Sequence, residues 1–73
     1  MQIGDRIREL RIDRDMPQRE IANILQTSQS YYSEYELNKR QLPIDHLKTL
    51  CLYYNVSADY ILGLPRGLNW PRG

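Results

Sequence analysis

The chain has 73 residues, of which 41% are hydrophobic and 26% are charged, and this size and composition are typical of one small globular domain. Such a domain buries only about 60% of the surface of its unfolded chain, which leaves little room for the deep cavity of an elaborate enzyme. The formal net charge of +1 is far from the strongly basic balance that by itself indicates a nucleic-acid-binding protein.

The first predicted element is an amphipathic helix over residues 3–14. Ile3, Ile7 and Leu10 recur there at helical spacing and share one face, to which Arg11 also belongs. The first twenty residues contain five arginines and five acidic residues. Since these charges cancel, we interpret them as a solvated helix face rather than as a basic patch.

A second helix is predicted after Pro17, which suits a first helical turn because its missing N–H is not needed there. Ile21 and Leu25 give this helix an apolar face, and it should end near Gln26. Ala22 would lie where a neighbouring helix crosses closely. A larger side chain at this position would push the two helices apart.

A third helix is predicted over residues 28–37, after a turn of about three residues. The Ser28 hydroxyl can cap its N-terminus by accepting a hydrogen bond from a free amide. Tyr32 and Tyr35 lie at helical spacing and would face the core. Two short helices are therefore predicted to meet across a tight turn.

A fourth helix is predicted after the loop 38–43, from apolar residues at helical spacing: Ile44, Leu47, Leu50, Cys51 and Tyr54. Asn55 can close it in the left-handed conformation. A fifth helix over residues 58–62 would be capped by Ser57 and stopped by Gly63. No stretch alternates like a strand, so the prediction is a compact all-α domain of five helices over residues 1–64, followed by an extended or poorly ordered tail over residues 65–73.

Four segments match, in order and spacing, characteristic segments of one class of DNA-binding domain: PQREIA (17–22), YSEYE (32–36), NKR (38–40) and NVSADYILG (55–63). By these segments the chain resembles the helix-turn-helix domains of the phage-repressor class, the Cro/C1 or XRE family, over residues 3–63. The resemblance implies a five-helix, lambda-repressor-like fold. It also implies a repressor-like transcriptional regulator that binds double-stranded DNA sequence-specifically, as a homodimer on a palindromic operator.

The resemblance places the helix over residues 28–37 in the major groove of DNA. Gln29, Ser30 and Glu34 would lie at base-reading positions, since Gln can bond adenine and a carboxylate can accept a hydrogen bond from cytosine. Tyr31 and Ser33 would face the flanking backbone. The plainer interpretation of Gln29, Ser30 and Ser33 is an ordinary exposed polar face, and Glu34 can instead turn away and pair with a nearby cation.

The resemblance also assigns contacts to DNA phosphates. Gln18, at the start of the second helix, would bond one phosphate, although it can instead bond its own backbone. Backbone amides with Lys39 and Arg40 would hold phosphates after the third helix. With Ser28 and Asn38 added, the implied DNA-binding residues are Gln18, Ser28, Gln29, Ser30, Tyr31, Ser33, Glu34, Asn38, Lys39 and Arg40.

The chain departs from the family pattern at three places. Gln26 stands where the family usually has glycine, and Pro17 stands where it usually has a capping threonine. Residues 28–37 contain two glutamates and no lysine or arginine, so DNA affinity must come mostly from loops and helix termini.

The resemblance further implies a structural ion pair between Arg11 and Glu36, which would tie the first helix to the third. The last helix and the loop before it often form the dimer contact in the family. Here Tyr60, Leu64 and Trp70 offer apolar surface for such a contact.

Nothing in the sequence indicates catalysis, a metal or a cofactor. The single Cys51 excludes an internal disulfide and a cysteine-based zinc site, and the lone His46 is expected at the surface. The N-terminus has no signal-peptide pattern and no run approaches the roughly 20 apolar residues of a membrane span, so we expect a cytoplasmic protein without a membrane partner. The alternative function is a protein-interaction module, which the near-neutral charge and the acidic third helix favour.

Overall fold

The computed structural model describes residues 1–65 and 68. Across these residues the chain forms five α-helices and no β-strand: α1 (Ile3–Asp13), α2 (Gln18–Ile24), α3 (Gln29–Glu36), α4 (Ile44–Tyr54) and α5 (Ala58–Leu62). The predicted all-α fold and the order of its helices are confirmed, and every observed helix lies within its predicted bounds.

One hydrophobic core receives side chains from all five helices. The members of this core are Ile7, Leu10, Ile21, Ala22, Leu25, Tyr32, Tyr35, Leu50, Tyr54 and Ile61. Among the described residues, Tyr32 is the largest side chain with no exposed surface, so an aromatic ring of α3 is fully enclosed in the core. Because α3 packs against both α1 and α2, its position is set by two other helices.

Side-chain caps and left-handed residues determine where several helices begin and end. The Ser28 Oγ accepts a hydrogen bond from the Tyr31 N–H at 3.1 Å, and the Ser57 Oγ accepts one from the Tyr60 N–H at 3.3 Å. Asn55 closes α4 with a φ of 57°, and Gly63 closes α5 with a φ of 73°. These four predicted helix ends are confirmed.

The turn between α2 and α3 keeps a conformation that favours glycine although no glycine is present. Gln26 has a φ of 58°, in the left-handed region that costs an ordinary residue roughly 1–2 kcal/mol. Its amide still donates to the Asn23 carbonyl at 3.0 Å. The tight turn therefore forms with the less suitable residue, because the packing of α2 against α3 offsets this local cost.

Two residues near the start of α4 have surroundings that the sequence does not indicate. Ile44 is 80% exposed, because it lies in the first turn of α4 at the edge of the apolar face, where no other element covers it. His46 is half-buried, and its ring lies edge-on to the ring of Tyr35, with centroids 5.8 Å apart. The buried part of α4 consists of Leu50 and Tyr54.

Candidate nucleic-acid interface

An ion pair with two hydrogen bonds ties α3 to α1. The Arg11 Nε donates to the Glu36 Oε2 at 2.7 Å, and the Arg11 Nη2 donates to the Glu36 Oε1 at 3.0 Å. The third nitrogen, Nη1, donates to the Met16 carbonyl at 2.8 Å. A guanidinium that donates from all three nitrogens is fixed in position, so Arg11 joins α1, the loop after it and α3.

Glu36 is also bonded from α2. The Gln18 Nε2 donates to the Glu36 Oε1 at 3.0 Å, a contact that neither interpretation of Gln18 had included. Burial by itself raises the pKa of the Glu36 carboxyl, but the hydrogen bonds and charge of its neighbours, above all Arg11, outweigh burial and hold that pKa below its ordinary value. Glu36 therefore remains charged and links α1, α2 and α3.

A second attachment holds the end of α3 against the start of α1. The Gly4 N–H donates to the Asn38 Oδ1 at 2.8 Å, and the Asn38 Nδ2 donates to the Asp5 Oδ1 at 3.3 Å. Asn38 also donates its backbone N–H to the Tyr35 carbonyl at 3.2 Å. Because these groups are all engaged, the structure gives Asn38 a role in positioning α3, which the sequence did not indicate.

The opposite side of α3 faces outward. Gln29 and Ser30 are exposed, Tyr31 is 40% exposed, and Ser33 and Glu34 are half-buried. Ser28 at the start of α3, and Asn38, Lys39 and Arg40 after its end, are exposed as well. Helix α3 thus presents a polar face that continues into the following loop.

Arg40 folds back from the loop onto this face. Its Nη2 donates to the Glu34 Oε2 at 3.2 Å, and its Nη1 donates to the Tyr31 Oη at 3.3 Å. Its Cζ lies 4.1 Å from the centroid of the Tyr31 ring, a cation–π distance. The Glu34 carboxylate is thus paired with a nearby cation, the guanidinium of Arg40.

The Tyr31 ring is supported from below. It lies edge-on to the ring of Tyr35, with the centroids 5.6 Å apart, and Tyr35 is only 2% exposed. The Tyr35 Oη lies 3.3 Å from the His46 Nδ1. An exposed aromatic ring is therefore anchored to the core and to α4.

Comparison with known proteins assigns this arrangement to a family. A family model described as a helix-turn-helix domain matches residues 4–66, which include all of α2 and α3. The chain belongs to this helix-turn-helix family. In this helix-turn-helix domain, α2 and α3 are the two short helices that the sequence predicts to meet across a tight turn.

Two relatives of this helix-turn-helix domain come from Bacillus subtilis (strain 168). One, named as the uncharacterized HTH-type transcriptional regulator YobD, is 37% identical over 59 residues, which are 81% of this chain and 53% of the relative. The other, the HTH-type transcriptional regulator ImmR, is 38% identical over 63 residues, which are 86% of this chain and 50% of the relative. The chain therefore spans about half the length of these curated relatives.

The residues expected at a dimer contact belong to α5 and to the chain that follows it. Tyr60 is 42% exposed and Leu64 is 44% exposed, while Trp70 lies outside the residues that the structure describes. The guanidinium carbon of Arg6 lies 5.5 Å from the centroid of the Tyr60 ring. The surface around α5 is thus partly apolar and lies next to a cation.

Metal-binding clusters and membrane-spanning helices are absent from residues 1–65 and 68, the part of the chain that the structure describes. No cluster of three or more His, Cys, Asp or Glu side chains there has an arrangement suited to a metal ion. No helix within residues 1–65 combines the length and the apolar character needed to cross a membrane.

Proposed function

We propose that this helix-turn-helix domain, of the Cro/C1 or XRE type, is the DNA-binding part of a repressor-like transcriptional regulator. Helix α3 carries the proposal. Its inner side is fixed to α1 and α2 through Glu36, and its outer side presents hydrogen-bonding side chains beginning with Gln29. A rigid helix with an exposed polar face suits the major groove of B-DNA. The names of both relatives, HTH-type transcriptional regulators, support a regulatory rather than an enzymatic function.

Within this proposal, Gln29 and Ser30 contact base edges from the first turn of α3. Both side chains are exposed, and Gln can donate to and accept from one adenine at the same time. Ser33 lies beside them and reaches the flanking backbone. Ser28, whose Oγ is occupied as the helix cap, lies at the N-terminal end of α3, where the macrodipole favours a phosphate.

Further phosphate contacts come from outside α3. Lys39 is exposed in the loop after α3 and can reach the DNA backbone as a point charge. Gln18 uses one N–H of its Nε2 for Glu36, and the amide nitrogen has a second hydrogen that can donate to a phosphate. In that arrangement a DNA phosphate, Gln18 and Glu36 form one hydrogen-bonded chain, so DNA binding is coupled to the contact that holds α2 to α3.

Selection of bound duplexes from a random pool tests sequence-specific binding. The proposal expects a preferred sequence with two symmetric half-sites. Gln29→Ala should then lose about tenfold or more of the preference at one position of each half-site. Gln41→Ala is the matched control, since Gln41 is an exposed glutamine outside α3, and it should leave the preference at every position unchanged. A pool that shows no enrichment would contradict the proposal.

We further propose that two copies bind one operator through a symmetric contact that includes Tyr60, Leu64 and Trp70. Such a contact would place two recognition helices about 34–36 Å apart on one face of the duplex. Leu64→Asp should lower the affinity of self-association in analytical ultracentrifugation. Ile12→Asp is the control, because Ile12 is also 44% exposed but belongs to α1. A wild-type chain that stays monomeric, alone and on DNA, would contradict the dimer.

The second candidate function is a protein-interaction module, favoured by a net charge of +1 and by the absence of lysine and arginine in residues 28–37. Salt dependence distinguishes the two functions. A DNA-binding domain with Z phosphate contacts should show a slope of about −0.9Z in log K against log salt. A protein-interaction module should show no specific binding to any duplex at any salt concentration.

A further inference from the structure

Helix α3 has an unusual charge distribution for a helix that enters the major groove. Residues 28–37 contain Glu34 and Glu36 and no basic residue. The side chains of α3 by themselves are therefore negatively charged, and the DNA phosphates would repel them. Glu36 is buried and paired with Arg11. Glu34 is the carboxylate on the outer side, and its partner in the structure is Arg40 from the following loop.

Arg40 is held in a defined orientation on the outer face of α3. Its guanidinium lies 4.1 Å above the Tyr31 ring and is hydrogen-bonded at both Nη atoms, to Tyr31 and to Glu34. The Tyr31 ring is itself supported by the buried ring of Tyr35. An arginine whose stacking surface and hydrogen-bond partners are already in place loses less conformational freedom when it binds a partner.

The neighbouring cation, Lys39, is not held in a defined orientation by such contacts within the described residues. Within residues 1–65 and 68, the structure shows neither a side-chain hydrogen bond nor a salt bridge for Lys39, which is exposed in the same loop. A mobile ammonium suits phosphates, which it can reach in many orientations. A planar guanidinium held at a fixed angle suits a partner with two acceptors at a fixed separation.

The guanidinium of Arg40 keeps the donors that such a partner needs. Of its five N–H groups, two donate to Tyr31 and Glu34, and three remain. Guanine presents two acceptors, O6 and N7, side by side in the major groove, and a bidentate arginine is the commonest specific contact to them. The carboxylate of Glu34 is meanwhile neutralised by Arg40, which lowers the repulsion between α3 and the DNA phosphates.

We propose that Arg40 is a base-reading residue that recognises one guanine in each half-site, and that Tyr31 and Glu34 are the residues that position it. This inference rests on the proposed DNA-binding function. It moves Arg40 from the phosphate contacts to the base contacts, and it gives the acidic residue on the outer face of α3 the task of orienting an arginine. The base-specific cation of this interface then comes from the loop and not from the recognition helix.

The test uses the preferred duplex from the selection experiment and a set of duplexes with single base-pair changes, compared by competition fluorescence anisotropy. Wild-type protein should lose about tenfold or more in affinity when one G·C pair of each half-site is replaced. Arg40→Lys keeps the positive charge but removes the planar fork. It should lose most of the discrimination at that base pair and keep the wild-type discrimination at the others.

The positioning residues give a second set of variants. Tyr31→Ala and Glu34→Gln should relax the preference at the same base pair as Arg40→Lys. Tyr31→Phe keeps the ring that supports the guanidinium and should retain most of the discrimination. Lys39→Ala is the control for a phosphate contact: it should reduce the salt slope by about 0.9 and weaken binding to all duplexes by one common factor.

The outcomes separate this inference from the function on which it rests. If wild-type protein selects a sequence and Arg40→Lys discriminates at every position as wild type does, Arg40 does not read a base and the inference fails while the proposed function stands. The inference also fails if Arg40→Lys weakens all duplexes equally. If wild-type protein distinguishes no duplex from any other, the proposed function itself fails. Unchanged circular dichroism melting curves of the variants verify that each effect arises at the interface.

Discussion

Two glutamates of α3 lie two positions apart and each pairs with an arginine from outside the helix, yet their surroundings are opposite. The side chains of Glu36 and Arg11 are 2% and 13% exposed, whereas those of Glu34 and Arg40 are 39% and 41% exposed. Because an α-helix has 3.6 residues per turn, residues two apart point to opposite sides. The same pair of chemical groups therefore meets the protein interior on one side of α3 and solvent on the other.

The difference in burial decides what each ion pair can do. A buried carboxylate that loses its partner becomes an uncompensated charge in a medium of low polarity, so the Glu36 pair must stay intact in the folded protein. An exposed pair is screened by water and contributes little to stability, so the Glu34 pair can serve binding at little cost to folding. We infer that one side of α3 is fastened for stability and the other side is adjusted for binding.

The largest expected effect comes from breaking the buried pair. Glu36→Ala and Arg11→Ala should each lower the free energy of unfolding by about 3 kcal/mol, the value typical of a buried pair that loses one partner, as measured by urea denaturation. Glu34→Ala on the outer face of α3 is the matched control and should leave the unfolding midpoint almost unchanged. Equal midpoints for wild type and all three variants would show that the buried ion pair stabilises the fold no more than the exposed pair does.

A smaller loss is expected at the other attachment between α1 and α3. A Cβ atom on Gly4 would lie 2.7 Å from the Glu36 carbonyl oxygen and 2.6 Å from the Asn38 Oδ1. Since backbone cannot easily move away, Gly4→Ala should lower the free energy of unfolding by about 1–3 kcal/mol, despite the better helix propensity of alanine. Arg8→Ala is the control for an alanine introduced at an exposed position of the same helix. A Gly4→Ala variant as stable as wild type would show that this contact is adaptable.

The smallest expected effect is a change in stability with pH. The folded-state pKa of Glu36 lies below the ordinary value of 4.5, so its ionised form contributes stability that is fully present above that pH and is lost as pH falls through the folded-state pKa. Glu36→Gln cannot ionise, so the stability difference between wild type and this variant should shrink steadily below pH 4.5. A constant difference for Glu36→Gln would mean that the ion pair does not lower this pKa.

Local features of the sequence were sufficient for the helices and their ends. Ser28 and Ser57 predicted caps, and Asn55 and Gly63 predicted helix closure, because each acts through backbone groups only a few residues away. The inward positions of Tyr32 and of most other core residues followed from helical periodicity. Arg11 and Glu36 also form the ion pair that the resemblance implies.

The sequence by itself thus determined the fold class, the helix order and the apolar faces, since these depend on short-range hydrogen bonds and on a regular period. Only the tertiary structure decided that Gln18 bonds Glu36, that Ile44 is left uncovered and that Arg40 lies on Tyr31. Each of these depends on where a separate helix or loop lies in space. No residue type or spacing along the chain encodes such a distance, because it is the packing of the helices that places these groups against one another or leaves them in solvent.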